Sequence, residues 1–217
     1  MKKFFAMDGK LLSVLNTIAD LAILNILWLI CCIPVVTIGA STSAMYSVTL
    51  KMVRREEPYI VRGFFDAFRE NFKQSTIVWI GMMAAGCLLY FDLYALGHAG
   101  TAGMRLVSIP VFIGMFLVIA VGCYIFSMIA YFKTGTAEAV KNAIRLAIGY
   151  LPYTIAIFVL QILPVILLFG QNLIVSLFID VVIGVAASRF AASYLLLKVF
   201  HKVHVVEKNE ELEAGME

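Results

Sequence analysis

The chain is predicted to be all-α, a polytopic transmembrane helical bundle of about five spans with two amphipathic elbow helices on its cytoplasmic side. Three observations predict this. Hydrophobic residues make up 62% of the 217 positions and charged residues only 14%, whereas a soluble domain has roughly half and a quarter. Such a surplus, with a mean hydropathy of +0.96, exceeds what one core of this size can hide, so much of it must face lipid. The apolar residues fall in segments of spanning length, and the two most charged internal stretches resemble each other.

A spanning helix needs about 20 mostly apolar residues to cross a hydrocarbon layer about 30 Å thick. Five segments qualify: 14–38, 76–97, 106–130, 147–170 and 173–197. The third has no charge between Arg105 and Lys133. The uncharged run from Leu146 to Ile179 would be about 50 Å long as one helix, so Gly170, Gln171 and Asn172 are expected to fold it into a hairpin. The Lys2, Lys3 and Lys10 start resembles a signal peptide, but the apolar run after Leu11 reaches Ile38, too long for that reading. Residues 1–200 are expected to form one membrane domain and 201–217 a charged tail.

Prolines punctuate this pattern. Pro110 and Pro152 fall near expected helix starts, and Pro164 lies mid-span, where it should kink the helix and free the Leu160 carbonyl. After Pro34, the tract from Thr37 to Ala44 is small and polar. It reads as a flexible linker or as a helix restart capped by Ser41 or Ser43.

Sliding the charged loops past each other reveals a repeat at an offset of 72 residues. Gly63 to Lys73 aligns with Gly135 to Arg145, matching Gly, acid, Ala, apolar, base, apolar and base in order. Phe64, Phe65, Phe68 and Phe72 fall on one helical arc and Arg62, Asp66, Arg69, Glu70 and Lys73 opposite. Val140 and Ile144 against Glu138, Lys141 and Arg145 repeat the layout. Elbows are therefore expected at 62–75 and 134–147, lying on the inner leaflet, with Phe64, Phe68, Arg69, Phe72, Lys73, Lys141 and Arg145 as membrane-interface or partner contacts.

Orientation follows from basic residues, which collect in short cytoplasmic loops. The loop before the second span holds Lys51, Arg54, Arg55, Arg62, Arg69 and Lys73; that before the fourth holds Lys133, Lys141 and Arg145. With Arg189, Lys198, Lys202 and Lys208 at the far end, these outnumber Lys2, Lys3, Lys10 and Arg105. The expectation is an N-terminus outside and a C-terminus in the cytoplasm, with the three N-terminal lysines arguing the other way.

Charges inside spans cost about 2.5–3.5 kcal/mol each on insertion scales. Asp20, Asp92 and Asp180 fall in the expected outer half, where, with Asn25, they could line an outward-facing polar site; Asn16 and Gln161 add polar groups. The competing reading is structural, with acids reaching water or Arg105 and polar side chains joining helices. Arg189 is expected to reach the cytoplasmic interface or a partner on another helix.

Enzyme motifs such as GxSxG, HExxH or a phosphate loop do not occur, so no catalytic residues, cofactor or metal are expected. His201 and His204 read as part of a basic tail. Cys31, Cys32, Cys87 and Cys123 all sit in apolar stretches without CxxC spacing and read as small buried hydrophobes. A net charge of +3 gives no case for nucleic acid, which leaves the lipid bilayer as the expected partner.

The stretches Ala19-Asp20-Leu21, Asn25-Ile26-Leu27-Trp28 and Cys31 through Ser41, followed by Phe68 through Gln74 and Phe91-Asp92-Leu93-Tyr94, resemble the YesL family of small bacterial membrane proteins. The resemblance is strong over residues 10–97 and continues more weakly to about residue 200; the acidic tail Glu207–Glu217 lies outside it. It implies a bacterial plasma-membrane location and carries no catalytic residues, since the family has no established activity. Its genes commonly neighbour sugar-binding and permease components, which implies an accessory role in carbohydrate (ABC-type) uptake. The alternative expectation is an independent small-solute carrier using the outer carboxylates.

Overall fold

The computed structural model describes residues 2–57, 59–98, 102–132, 135–168 and 178–214, with side chains over 12–57, 59–98, 108–132, 135–166 and 178–202. Among the described residues all regular structure is helical. The expected turn at 170–172 lies outside them, as do the side chains of Lys2, Lys3, Lys10, Arg105, Lys133 and His204.

Helix α1 spans Lys2–Cys32, and a 3₁₀ turn at Val35–Thr37 leads into α2, Ile38–Val53. Then follow α3 at Ile60–His98, α4 at Ala102–Tyr131, α5 at Thr136–Gly149 and α6 at Leu151–Leu168. The closing helix passes through a π turn at Asp180–Gly184 into α7, Val185–Ala214. Four stretches are long and apolar enough to cross a bilayer, in α1, α3, α4 and the closing helix, and the pair α5–α6, bent by 103°, can supply a fifth. The chain is a helical membrane protein.

The first apolar run ends as a helix at Cys32 rather than 38, because Pro34 cannot donate to the preceding turn. Thr37 secures the reversal by donating its hydroxyl to the carbonyls of Cys31 (2.6 Å) and Pro34 (2.7 Å). The small polar tract beyond it is neither a linker nor a Ser-capped restart. It is the body of α2, and every residue from Gly39 to Tyr46 is buried.

Small side chains are what allow that burial. A Cβ on Gly39 would sit 2.6 Å from the Ser75 carbonyl oxygen and from the Trp79 Cβ, so α2 and α3 approach too closely there for any side chain. Ser75 donates to Ser43 (2.9 Å), and Thr49 shares a 2.9 Å hydrogen bond with Ser193 of α7. Hydroxyl pairs of this kind satisfy polar groups that lipid could not.

These contacts fix the running order. Ser41 and Thr42 meet Trp28, so α2 returns alongside α1. Gly63 lies opposite Val48, and Gly39 opposite Ser75 and Trp79, so α3 turns back along α2. Arg189 and Ser193 meet Tyr46 and Thr49 in step, so α7 runs parallel to α2. Tyr131 at the end of α4 stacks on Phe200 of α7 and beneath the Arg54 guanidinium. The start of α1 and the end of α7 therefore share one end of the bundle. Helix α2, read from the sequence as part of a loop, adds an antiparallel pass between α1 and α3.

The two repeat copies also fold differently. Residues 62–75 are not a separate elbow on the leaflet: α3 is continuous over 39 residues, about 58 Å at 1.5 Å per residue. Phe64 and Ala67 are buried against Leu21, Leu24 and Val48, with Phe68 packed beside them, so the aromatic arc faces protein. Phe72 and Phe65 remain exposed. The second copy is an elbow, α5, because Gly149 and Pro152 flank Tyr150, whereas an offset of 72 puts Ile77 and Ile80 in the first copy. Four residues of α5, Ala139, Ala143, Leu146 and Ala147, are buried; Val140 and Ile144 face a groove of about 400 Å³ with Ile77 and Leu117.

Further boundaries differ from expectation. Helix α4 starts at Ala102 rather than 106, so Pro110 lies deeper inside it. Pro164 lies inside α6, as expected, and α6 begins at Leu151 rather than 147. The closing helix runs past residue 197 to Ala214, so the start of the expected tail is helical. Of the cysteines only Cys123 is buried, and Cys87 is exposed, since the apolar surroundings of α3 are lipid rather than protein.

Candidate functional site

Asn25 is completely buried, and its amide spans the π turn of the closing helix. Its Nδ2 donates to the carbonyls of Asp180 (2.9 Å) and Val181 (2.7 Å), and its Oδ1 accepts the Ala186 N–H at 2.9 Å. A π turn displaces backbone groups from their regular partners, and Asn25 supplies replacements from α1.

Of the four expected polar-site residues, this geometry joins Asn25 and Asp180. Asp180 is 7% exposed, and neither carboxylate oxygen has a hydrogen-bond partner among the described residues. The carboxylate lies over Gly184, where any Cβ would collide with it. Asp20 is half-buried on α1. Asp92 is exposed on α3, roughly 20 Å along the helix past Trp79. Since the Trp79 indole donates to Val35 in the α1–α2 turn (2.9 Å), Asp92 stands on the stretch of α3 that continues beyond that turn, and the carboxylates do not converge on one vestibule.

A second polar cluster occupies the centre of the bundle. Arg189 Nη1 donates to the Tyr46 hydroxyl (2.9 Å), and its guanidinium stands 5.3 Å from the centre of that ring. Gln161 Nε2 donates to the same hydroxyl at 3.1 Å and approaches the Cys123 carbonyl at 3.5 Å. The expected interhelical partner of Arg189 is thus Tyr46. Arg189 is in neither the Arg54–Glu56 nor the Arg62–Asp66 ion pair. Its Nε is buried and has no acceptor among the described residues.

Sequence reading missed Tyr46 because the residue lay in a supposed loop. The available signal was its spacing: Thr42, Tyr46 and Thr49 recur at i, i+4 and i+7, the period of one helical face. Beside the cluster is a cavity of about 330 Å³, lined by Arg189, Gln161 and Thr42 together with Trp28, Trp79 and Phe126.

At the end of the bundle shared by the α1 start and the α7 end, α5 exposes Glu138, Lys141 and Arg145. Lys51, Arg54, Arg55 and Arg62 belong to the same end, at the α2–α3 turn. That turn is a Schellman closure: the Glu56 N–H reaches the Lys51 carbonyl and the Arg55 N–H that of Met52, both at 3.1 Å. Arg55 occupies its left-handed position at φ 58°, where glycine is usual. Arg69 and Lys73 are exposed on the outer face of α3. No group of three or more His, Cys, Asp or Glu able to hold a metal occurs among the described residues.

Comparison with known families gives a match over residues 21–93 to a family described as protein of unknown function, DUF624. That region runs from α1 through α2 into α3, and so includes Asn25, the α2 tract and Trp79. No curated protein and no solved structure matches the chain.

Proposed function

We propose that this is a bacterial plasma-membrane protein of the YesL type, an accessory component of carbohydrate (ABC-type) import that meets its partner through the cytoplasmic end of the bundle. The observation that carries this reading is α5. It turns 103° away from α6, buries an alanine stripe and presents Glu138, Lys141 and Arg145 outward. A helix held rigidly across the end of a bundle, with charge facing away, has the form of a docking element.

We further propose that this end is cytoplasmic and carries both termini. The charge rule then applies without exception to the N-terminal lysines, because they join Arg54, Arg55, Lys141, Arg145 and Lys202. The carbohydrate side of the proposal comes from the family resemblance.

The test is affinity purification of the tagged protein from gently solubilised native membranes, with mass spectrometry of what stays bound. Importer permease or ATPase subunits should exceed those recovered with an unrelated five-helix protein, and Lys141→Glu with Arg145→Glu should release them. Recovery of the protein alone would sink the accessory reading. One observation favours the carrier alternative, the Asp180 carboxylate, which has no hydrogen-bond partner among the described residues. It predicts solute flux in reconstituted vesicles that Asp180→Asn abolishes.

A further inference from the structure

The centre of this membrane protein holds a cation with an unfilled demand. Arg189 is a donor through every nitrogen, and in a low-dielectric interior such a charge needs an anion close by. The acid of its own helix that is also buried, Asp180, cannot serve. It lies nine residues earlier, about half a turn round and some 13 Å along the axis, turned toward Asn25 and Gly184.

The neighbours of Arg189 add donors rather than charge. The Tyr46 hydroxyl accepts from both Arg189 and Gln161, and no acceptor takes its own proton among the described residues. The guanidinium Nε is likewise buried without an acceptor. Guanidinium and phenol thus leave donors unspent beside a cavity of about 330 Å³, and no carboxylate among the described residues reaches them.

The cavity walls indicate what else the occupant carries. Apart from the polar corner they are apolar, and Phe158, Val165 and Ile119 both line the cavity and are exposed on the outer surface of α6 and α4. The mouth therefore opens between these helices onto the apolar flank of the bundle, where lipid lies. An occupant entering there has an apolar body and an anionic oxygen group at its inner end.

We propose that this cavity is a binding site for an anionic phospholipid, its phosphate held by Arg189 with Tyr46 and its acyl chain leaving between α4 and α6. An arginine fork matches the spacing of two phosphate oxygens and binds them in a bidentate manner.

The chain carries its own reporter. Its two tryptophans, Trp28 and Trp79, both line this cavity, so quenching of their fluorescence reads occupancy directly. Purified protein in a neutral detergent is titrated with brominated phosphatidylglycerol and, separately, brominated phosphatidylcholine. The anionic lipid should half-quench the emission at a concentration at least five-fold lower than the zwitterionic lipid. Arg189→Gln should abolish the preference, and Arg189→Lys, which keeps the charge, should retain most of it. That retention separates loss of the site from loss of the fold.

Equal quenching by the two lipids in the wild-type protein, or an unchanged preference in Arg189→Gln, would overturn the proposal. Inorganic phosphate at millimolar concentration is the competing arm. If it reverses the quenching, the site takes a free oxyanion and the lipid assignment fails; if it does not, the lipid assignment holds.

Discussion

Asn25 on the first helix and Ala186 on the last are joined by a 2.9 Å hydrogen bond that crosses 161 positions of sequence. The same amide holds two further carbonyls at the π turn, so one side chain closes the bundle. Replacing Asn25 by Leu strands three backbone groups in an apolar interior, each costing about 1–3 kcal/mol when unpaired. Thermal unfolding in detergent should show Asn25→Leu destabilised by several kcal/mol in total, and an unchanged midpoint would remove the clamp from consideration.

Gly39 sits where α2 and α3 touch, with no room for a Cβ against the Ser75 carbonyl. Gly39→Ala should therefore destabilise by about 1–3 kcal/mol through overpacking, although alanine is the better helix former. Ala40→Gly, one position away, should cost only about 1 kcal/mol, the propensity difference. Equal losses for the two substitutions in an unfolding series would show that the contact is not close.

Arg55 is held at φ 58°, a conformation that costs a side-chain-bearing residue about 1–2 kcal/mol. Arg55→Gly relieves that cost but adds chain entropy to the unfolded state. The expected net effect is a stabilisation of up to about 1 kcal/mol, seen as a raised unfolding midpoint. A lowered midpoint would mean that the guanidinium makes up the difference through contacts of its own.

Phe64 is fully buried between α1, α2 and α3, so Phe64→Ala should cost about 3–5 kcal/mol. Phe72 is exposed on the same helix, and Phe72→Ala should leave the unfolding midpoint nearly unchanged. If both aromatic residues instead lay on the leaflet, the two variants would behave alike. Phe68, expected as an interface or partner contact, packs against the same core, so Phe68→Asp should destabilise the fold.

The helical class and the apolar stretches were legible because lipid-facing helices announce themselves by length and uniform hydropathy. The elbow at α5 was legible too, from the 72-residue repeat and its amphipathic spacing. What distinguished it from its partner copy was a pair of residues, Gly149 and Pro152, whose absence around Ile77 and Ile80 leaves α3 straight. Amphipathicity could not tell an arc facing protein from one facing headgroups, which is why Phe64 and Phe68 were read outward. The hardest segment was α2. Its serines and threonines look like loop chemistry until their partners, Ser75 and Ser193, are seen beside them. Those partners lie far off in sequence, as do the contacts joining Asn25 to Asp180 and Tyr46 to Arg189.

That distance has a consequence for biogenesis. A nascent chain emerges in order, and lipid accepts a helix by itself only when the helix is apolar enough. Helix α2, with Ser41, Thr42, Ser43 and Thr49 buried along its length, offers the bilayer little, and the group that satisfies the Thr49 hydroxyl across the bundle is synthesised 144 positions later. The Thr49–Ser193 hydrogen bond therefore closes only once α7 has been made. The middle of the bundle is early in translation and completed late.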